Sequence, residues 1–349
     1  MKCYAAYKDS GIEWIGEIPA GWITTSLKRI ATYTRGSGIQ RGEAVQGGKP
    51  CVRYGELYTT YSGTILEPAS FIPGALWDAS VKLGEDDLVM SLTGETKEDI
   101  GPTSVNLSGR TLAVGGDTLV IRPANQDGRF LAYALNSNYT RIQKCLAATG
   151  EIIIHLGAVR VGNLAIVLPS LAEQEAIADY LDAKTAEIDA LVADCEQEAE
   201  LLREYRRSLI SEAVTKGLNP NVPMEDSGAE WIGEIPAGWD VSPLKALFSF
   251  GKGLPITKAD LADNGVPVIS YGQIHSKSNT PAHIDNSLIR LVPESFMSAN
   301  SASLTQQGDF LFADTSEDVE GSGNFVYHDQ AQDIFAGYHT LVLAPNNRR

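Results

Sequence analysis

Glu95-Thr96-Lys97 has the Glu-x-Lys form found in some nucleases, and Gly42–Pro50, GEAVQGGKP, comes close to a phosphate-binding loop. Neither carries its chemistry through. A glycine intrudes before Lys49 and Pro50 follows it, so the G-x-x-x-x-G-K-[ST] spacing that lets backbone amides cradle phosphates fails. A later stretch that aligns with Glu95-Thr96-Lys97 reads Glu317-Asp318-Val319, so both are expected to be polar loops. The histidines (His155, His275, His283, His328, His339) are scattered, with no His-x-x-x-His pair. His155 is expected to be a buried or strand-end residue, and His339, beside a strand, to be structural. Cys3, Cys51, Cys145 and Cys195 lie tens of residues apart, with no CxxC pair and no neighbouring histidine. They fit reduced thiols better than a zinc site or a disulfide frame. Neither an Asn/Asp-Pro-Pro-aromatic tetrad nor the glycine fingerprint of a DNA amino-methyltransferase is present. No catalytic residue, metal site or cofactor is therefore expected on this chain.

The positions that remain belong to a repeat. Ser10–Trp22, SGIEWIGEIPAGW, recurs as Ser227–Trp239, SGAEWIGEIPAGW, with only Ile12 changed to Ala229. At the same offset Leu27-Lys28 meets Leu244-Lys245, Pro50 meets Pro267 and Tyr54-Gly55 meets Tyr271-Gly272. Five extra residues in the second copy then shift the offset, and DLVMS (Asp87–Ser91) meets DFLFA (Asp309–Ala313). TLVIRP (Thr118–Pro123) meets TLVLAP (Thr340–Pro345), Gly115 meets Gly337, and His339 takes the place of Asp117. The shared parts are short apolar runs of the kind that form strands, while the polar stretches between them differ. A common scaffold with different loops points to two binding heads of one kind. In the repeated block, two tryptophans around a Pro-Ala-Gly turn are expected to clamp an incoming segment against each head.

Between the copies the pattern changes. No glycine or proline occurs from Ser170 to Lys216, Ser170 with Glu173 reads as a capping box, and Gly217 is a natural stop. Ile177, Leu181, Lys184, Ile188, Leu191, Cys195, Glu198, Leu202, Tyr205, Leu209 and Glu212 follow a 4-3 alternation. That is a long helix with a coiled-coil seam, about 69 Å at ~1.5 Å per residue. A single seam needs a partner helix. Arg349 aligns with Asp127, so the second copy is expected to be incomplete and to need self-association or a complementing chain. The expected class is α+β: two related mixed α/β domains, residues 1–169 and 218–349, joined by the spacer helix 170–217.

The charge distribution bears on partners. The 349 residues carry a net charge of −16, yet residues 1–169 hold 16 basic and 16 acidic side chains, so a local basic face is possible there. Residues 170–217 hold 5 and 12, and residues 218–349 hold 7 and 16, which counts against phosphate binding by the second half. No apolar run approaches the roughly 20 residues of a membrane helix, and no secretory leader is evident. A cytoplasmic protein without membrane contact is expected.

LPSLAEQEAIADYLDAKTAEIDALV…LLREYRRSLISEAVTKGL, preceded by EWIGEIPAGW, closely resembles the specificity (S) subunit of type I restriction–modification enzymes. The resemblance runs through essentially the whole chain. It implies two target-recognition domains that each read half of a split sequence in double-stranded DNA, held apart by helices that pack antiparallel. It further implies methyltransferase (M) subunits docked on that frame and a restriction/motor (R) subunit, with S-adenosylmethionine, ATP and Mg²⁺ on those partners. Contacts to DNA are then expected from the loops that differ. Arg35, Arg41, Lys49 and Arg53 lead, followed by Tyr58, Tyr61 and Lys97, and in the second copy by Lys252, Lys258, Gln273, His275 and Lys277. The rival readings are a coiled-coil structural adaptor that never touches DNA, an inactive truncated allele, and a true nuclease or methylase, against which the missing motifs weigh.

Overall fold

The computed structural model describes residues 4–39, 41–279, 283–319 and 321–346. The chain divides into two compact units, residues 1–201 and 202–349, and the division falls inside one unbroken helix, Leu171–Lys216.

The first unit is built on two sheets and a helical layer. One sheet runs Ala31–Arg35, Thr118–Pro123, Leu88–Ser91, Thr103–Asn106, Thr64–Ile65; the other runs Ser70–Ile72, Lys49–Val52, Leu112–Val114, Lys82–Leu83. Leu88–Ser91 is buried on both faces because side chains alternate along a strand. Leu88, Met90, Leu119 and Ile121 pack against Phe130, Leu131 and Leu135 of the helix Gly128–Asn136. Val89 and Val120 point the other way, into Val52, Leu112 and Val114 of the second sheet. An unbroken apolar run is what a strand between two layers requires.

The second unit repeats this frame except for Thr64–Ile65, which has no counterpart strand among the described residues. Phe248–Lys252, Thr340–Pro345, Phe310–Ala313 and Phe325–Tyr327 form one sheet, and Arg290–Val292, Val266–Ile269, Ile334–Ala336 and Leu304–Thr305 the other. Register is kept as well: Arg35 pairs with Leu119 and Lys252 with Leu341. The outer face differs. Where the first unit lays helices, the second packs aromatic rings on one another, Phe310 against Phe248 at 5.7 Å and against Tyr327 at 5.2 Å, and Phe312 against Phe325 at 4.9 Å.

The repeated block also splits into like and unlike parts. Each copy begins with a hairpin, Tyr7–Asp9 with Glu17–Pro19 and Met224–Asp226 with Glu234–Pro236. In the first unit the strand Ile23–Ser26 then pairs with Ala165–Leu168, and Leu27 is 0% exposed. The corresponding Asp240–Pro243 forms no strand, and Leu244 is 51% exposed, because no described residue plays the part of Ala165–Leu168 there.

The expected double-tryptophan clamp is half right. Trp22 donates through Nε1 to Glu173 at 3.1 Å and packs edge-on to Tyr4, whose hydroxyl reaches the same carboxylate at 2.5 Å. That hydrogen bond pushes the Tyr4 hydroxyl up to about 12. Trp14, Trp231 and Trp239 are exposed and make no side-chain hydrogen bond or ring contact among the described residues. The same contacts correct the expected capping box, since the Glu173 carboxylate is taken by Trp22 and Tyr4 rather than turned back to Ser170.

The helix is secured at its start by polar contacts. Arg129 binds Asp179 at 2.8 Å and Asp182 at 2.9 Å, and Tyr133 donates to Asp182 at 2.8 Å. Gly217, at φ +71, ends it. Of the seam, Ile188, Leu191, Leu202, Tyr205 and Leu209 are exposed. No described helix is long and apolar enough to cross a membrane.

Candidate nucleic-acid interface

Four backbone segments meet at one rim of the first unit. The Gly36 amide donates to Thr118 O at 3.0 Å, the Leu92 amide to Asp117 O at 2.7 Å, and the Leu156 amide to Leu92 O at 2.8 Å. A Cβ on Gly36 would collide with the Gly115 carbonyl oxygen and Thr118 Oγ1, so only glycine lets the segments close to this distance. The rim encloses a cleft of about 430 Å³ whose walls include Arg35, Thr93, Asp117, Thr149, His155 and Arg160. His155 is an exposed strand-end residue, with Nδ1 at 3.3 Å from Thr93 Oγ1, and Arg160 donates to the Ala147 carbonyl oxygen.

The expected contact residues fall into three groups. Arg35 lies at the end of Ala31–Arg35, exposed on the cleft, and Lys252 occupies the same register position in the second unit. Lys49, Lys97, Lys258 and Lys277 are exposed, with Lys49 Nζ 5.6 Å from the Trp77 ring centroid. The Arg41 side chain lies outside the described residues.

Others are already engaged. Arg53 forms an ion pair with Glu56 at 2.7 Å and a hydrogen bond to Ser70 at 2.9 Å. Tyr58 donates to Thr93 O, and Tyr61 accepts from the Ala69 amide at 2.8 Å; burial raises both hydroxyls above the ordinary tyrosine value. Gln273 caps the helix Tyr271–Ile274 by accepting from the Ser270 amide at 2.9 Å. His275 accepts from Asn324 on Nδ1 and donates from Nε2 to Thr315 O, which fixes its ring. These side chains hold loops in place, so their identity matters through what they position.

Sequence reasoning missed Asp117, Thr149 and Arg160, which approach the cleft only through the sheet and the segment after Thr149. It also missed Lys144, which is buried and donates to Gly101 O at 2.6 Å behind the Glu95–Asp99 loop. His339 was expected to be structural. It is held by Asp314 Oδ1 at 2.9 Å and Thr315 Oγ1 at 3.2 Å. No group of three or more His, Cys, Asp or Glu able to hold a metal ion occurs among the described residues.

No family model matches the chain. It is 24% identical over 221 residues to the type I restriction enzyme StySPI specificity subunit of Salmonella potsdam, covering 62% of this chain and 47% of that one. It is 23% identical over 316 residues to the type I restriction enzyme EcoKI specificity subunit of Escherichia coli (strain K12), covering 88% of this chain and 64% of that one. The chain therefore spans about half to two thirds of the length of these curated relatives. In fold it resembles a chain solved in a study of complex assembly and conformational transition of the type I R-M system. The TM-score is 0.65 at 16% identity, over 95% of this chain and 77% of that one.

Proposed function

We propose that this chain, which belongs with the specificity subunits of type I restriction enzymes, is the non-catalytic sequence-reading subunit of such a complex. Residues 1–169 and 218–349 serve as two target-recognition domains on the spacer 170–217, and together they read a bipartite site in double-stranded DNA. The observation that supports this most is the repeated strand frame under unlike loops, as expected of two readers of different half-sites. Because the readers are linked in sequence, engagement of one raises the effective concentration of the other.

Methyltransferase subunits dock along the helix and its flanks, and a restriction/motor subunit joins them. S-adenosylmethionine, ATP and Mg²⁺ reside on those partners, and the assembly works in the cytoplasm. The exposed seam residues favour a further helix across them, from a second copy or a complementing chain.

The test is to express the chain with its partner genes and map methylated bases across the genome. A new split adenine-methylated motif is expected. A genome without one overturns the proposal. A gel shift of the assembled complex without sequence preference favours the structural adaptor instead.

A further inference from the structure

We infer that the cleft at the rim of the first unit holds one nucleotide of the target. Arg35 and Arg160 bind its phosphate, and the Asp117 carboxylate accepts a hydrogen bond from the exocyclic amino group of its base. This rests on the DNA-reading function proposed above, and adds a site and a chemical preference to it.

The argument begins with the backbone. Asp117 stands at φ 58, in the left-handed region that most residues with a Cβ avoid and that Asp, Asn and His enter most readily. Another such turn shows the ordinary remedy: Asp86, at φ 62, is matched in the second unit by Gly308, at φ 100. The Asp117 position is treated differently. Its counterpart is His339, at φ 53, so both units keep a side chain where glycine would relieve the conformation.

That side chain does nothing for its own fold. Among the described residues the Asp117 carboxylate takes no hydrogen bond or ion pair, and the Arg35 guanidinium has none either. Two unspent charges of opposite sign thus face one cleft, with Arg160 as a second cation and the Thr93 and Thr149 hydroxyls beside them. A carboxylate is a poor wall for a bare phosphate. It suits a ligand that carries an anion and an N–H donor together, as a nucleotide does. The donors a carboxylate reads in the major groove are cytosine N4 and adenine N6.

The second unit keeps the cation, Lys252, and changes the reader. His339 is tied to Asp314 and Thr315 and offers a different hydrogen-bonding surface at the same backbone position. One frame thereby serves two base preferences.

The test uses the chain assembled with its methyltransferase subunits and a pool of duplex oligonucleotides with randomised positions, read by sequencing after selection. Asp117→Asn and Asp117→Gly should each lose the preference for cytosine or adenine at one position of one half-site, by about fivefold or more. Asp117→Gly relaxes the backbone, so it should fold at least as well as the parent; a residue that only made the turn would leave selection unchanged. Arg35→Ala and Arg160→Ala should weaken binding to all sequences and lower the salt slope by about 1 each. If the parent complex selects a sequence and all four variants select it with the same salt slope, the nucleotide site is overturned and the DNA-reading function stands. If the parent selects nothing, both fall.

Discussion

The hydroxyl of Tyr58 donates to the carbonyl oxygen of Thr93 at 3.0 Å. At the matching place in the second unit His275 Nε2 meets the Thr315 carbonyl oxygen at 2.8 Å. Two chemically different side chains make one scaffold contact, which separates what the frame demands from what each loop displays.

Tyr58→Phe should therefore lose about 1 kcal/mol and loosen the loop that follows Thr93, whereas Tyr58→His should retain most of the contact. Amide exchange of residues 94–100 in the two variants decides it: equal protection would mean that the hydrogen bond does not hold the loop.

The repeats differ sharply at Leu27, which is 0% exposed, and Leu244, which is 51% exposed. Leu27→Ala should destabilise the first unit by about 2–5 kcal/mol because it empties a fully buried site. Leu244→Ala should change stability by less than about 0.5 kcal/mol. Urea denaturation followed by a probe in each unit checks the pair, and a large loss at Leu244 would show that a partner covers it in solution.

Burial pushes the Lys144 ammonium down to about 8 from 10.5. Above the folded value the native state has released a proton that the unfolded chain still holds, so stability must rise with pH between about 8 and 10.5. The gain approaches about 3 kcal/mol at the upper end. It should be absent in Lys144→Met, which is measured by comparing the pH dependence of the denaturation midpoint in parent and variant.

Arg129→Ala should free the first turns of the helix Leu171–Lys216 by removing the contacts to Asp179 and Asp182. The partly exposed setting limits the loss to about 1–2 kcal/mol. Limited proteolysis should then cut near residues 170–185 faster than in the parent. An unchanged pattern would assign the docking to the remaining contacts, among them those of Glu173 with Trp22 and Tyr4, of Asp182 with Tyr133, and the packing of Ile177 and Ala178.

Local signals carried much of this architecture. DLVMS and TLVIRP are apolar without interruption, and strands with a layer on each face need that. The uninterrupted stretch from Ser170 to Gly217 could hardly be other than helix. The side-chain partners were harder to foresee. Glu173 has the spacing of a capping residue, but its carboxylate is claimed by Tyr4 and Trp22 from more than 150 positions away. Arg53 resembles a free cation until the fold sets Glu56 and Ser70 around it. Asp117 lies in an ordinary Gly-Gly-Asp-Thr turn, and its left-handed backbone and empty surroundings exist only once the sheet has closed. Spacing along the chain shows which residues share an element; it does not show which polar groups are left without company.

Trp22 gives the molecule a built-in optical gauge. Its indole rests against the Tyr4 ring and an anionic oxygen of Glu173 on the helix, whereas Trp14 and Trp231 already face water. Undocking the helix would strip that carboxylate from one fluorophore alone. Emission from a variant in which the other tryptophans are phenylalanine would then follow, in real time, how firmly the arm is seated when a partner arrives.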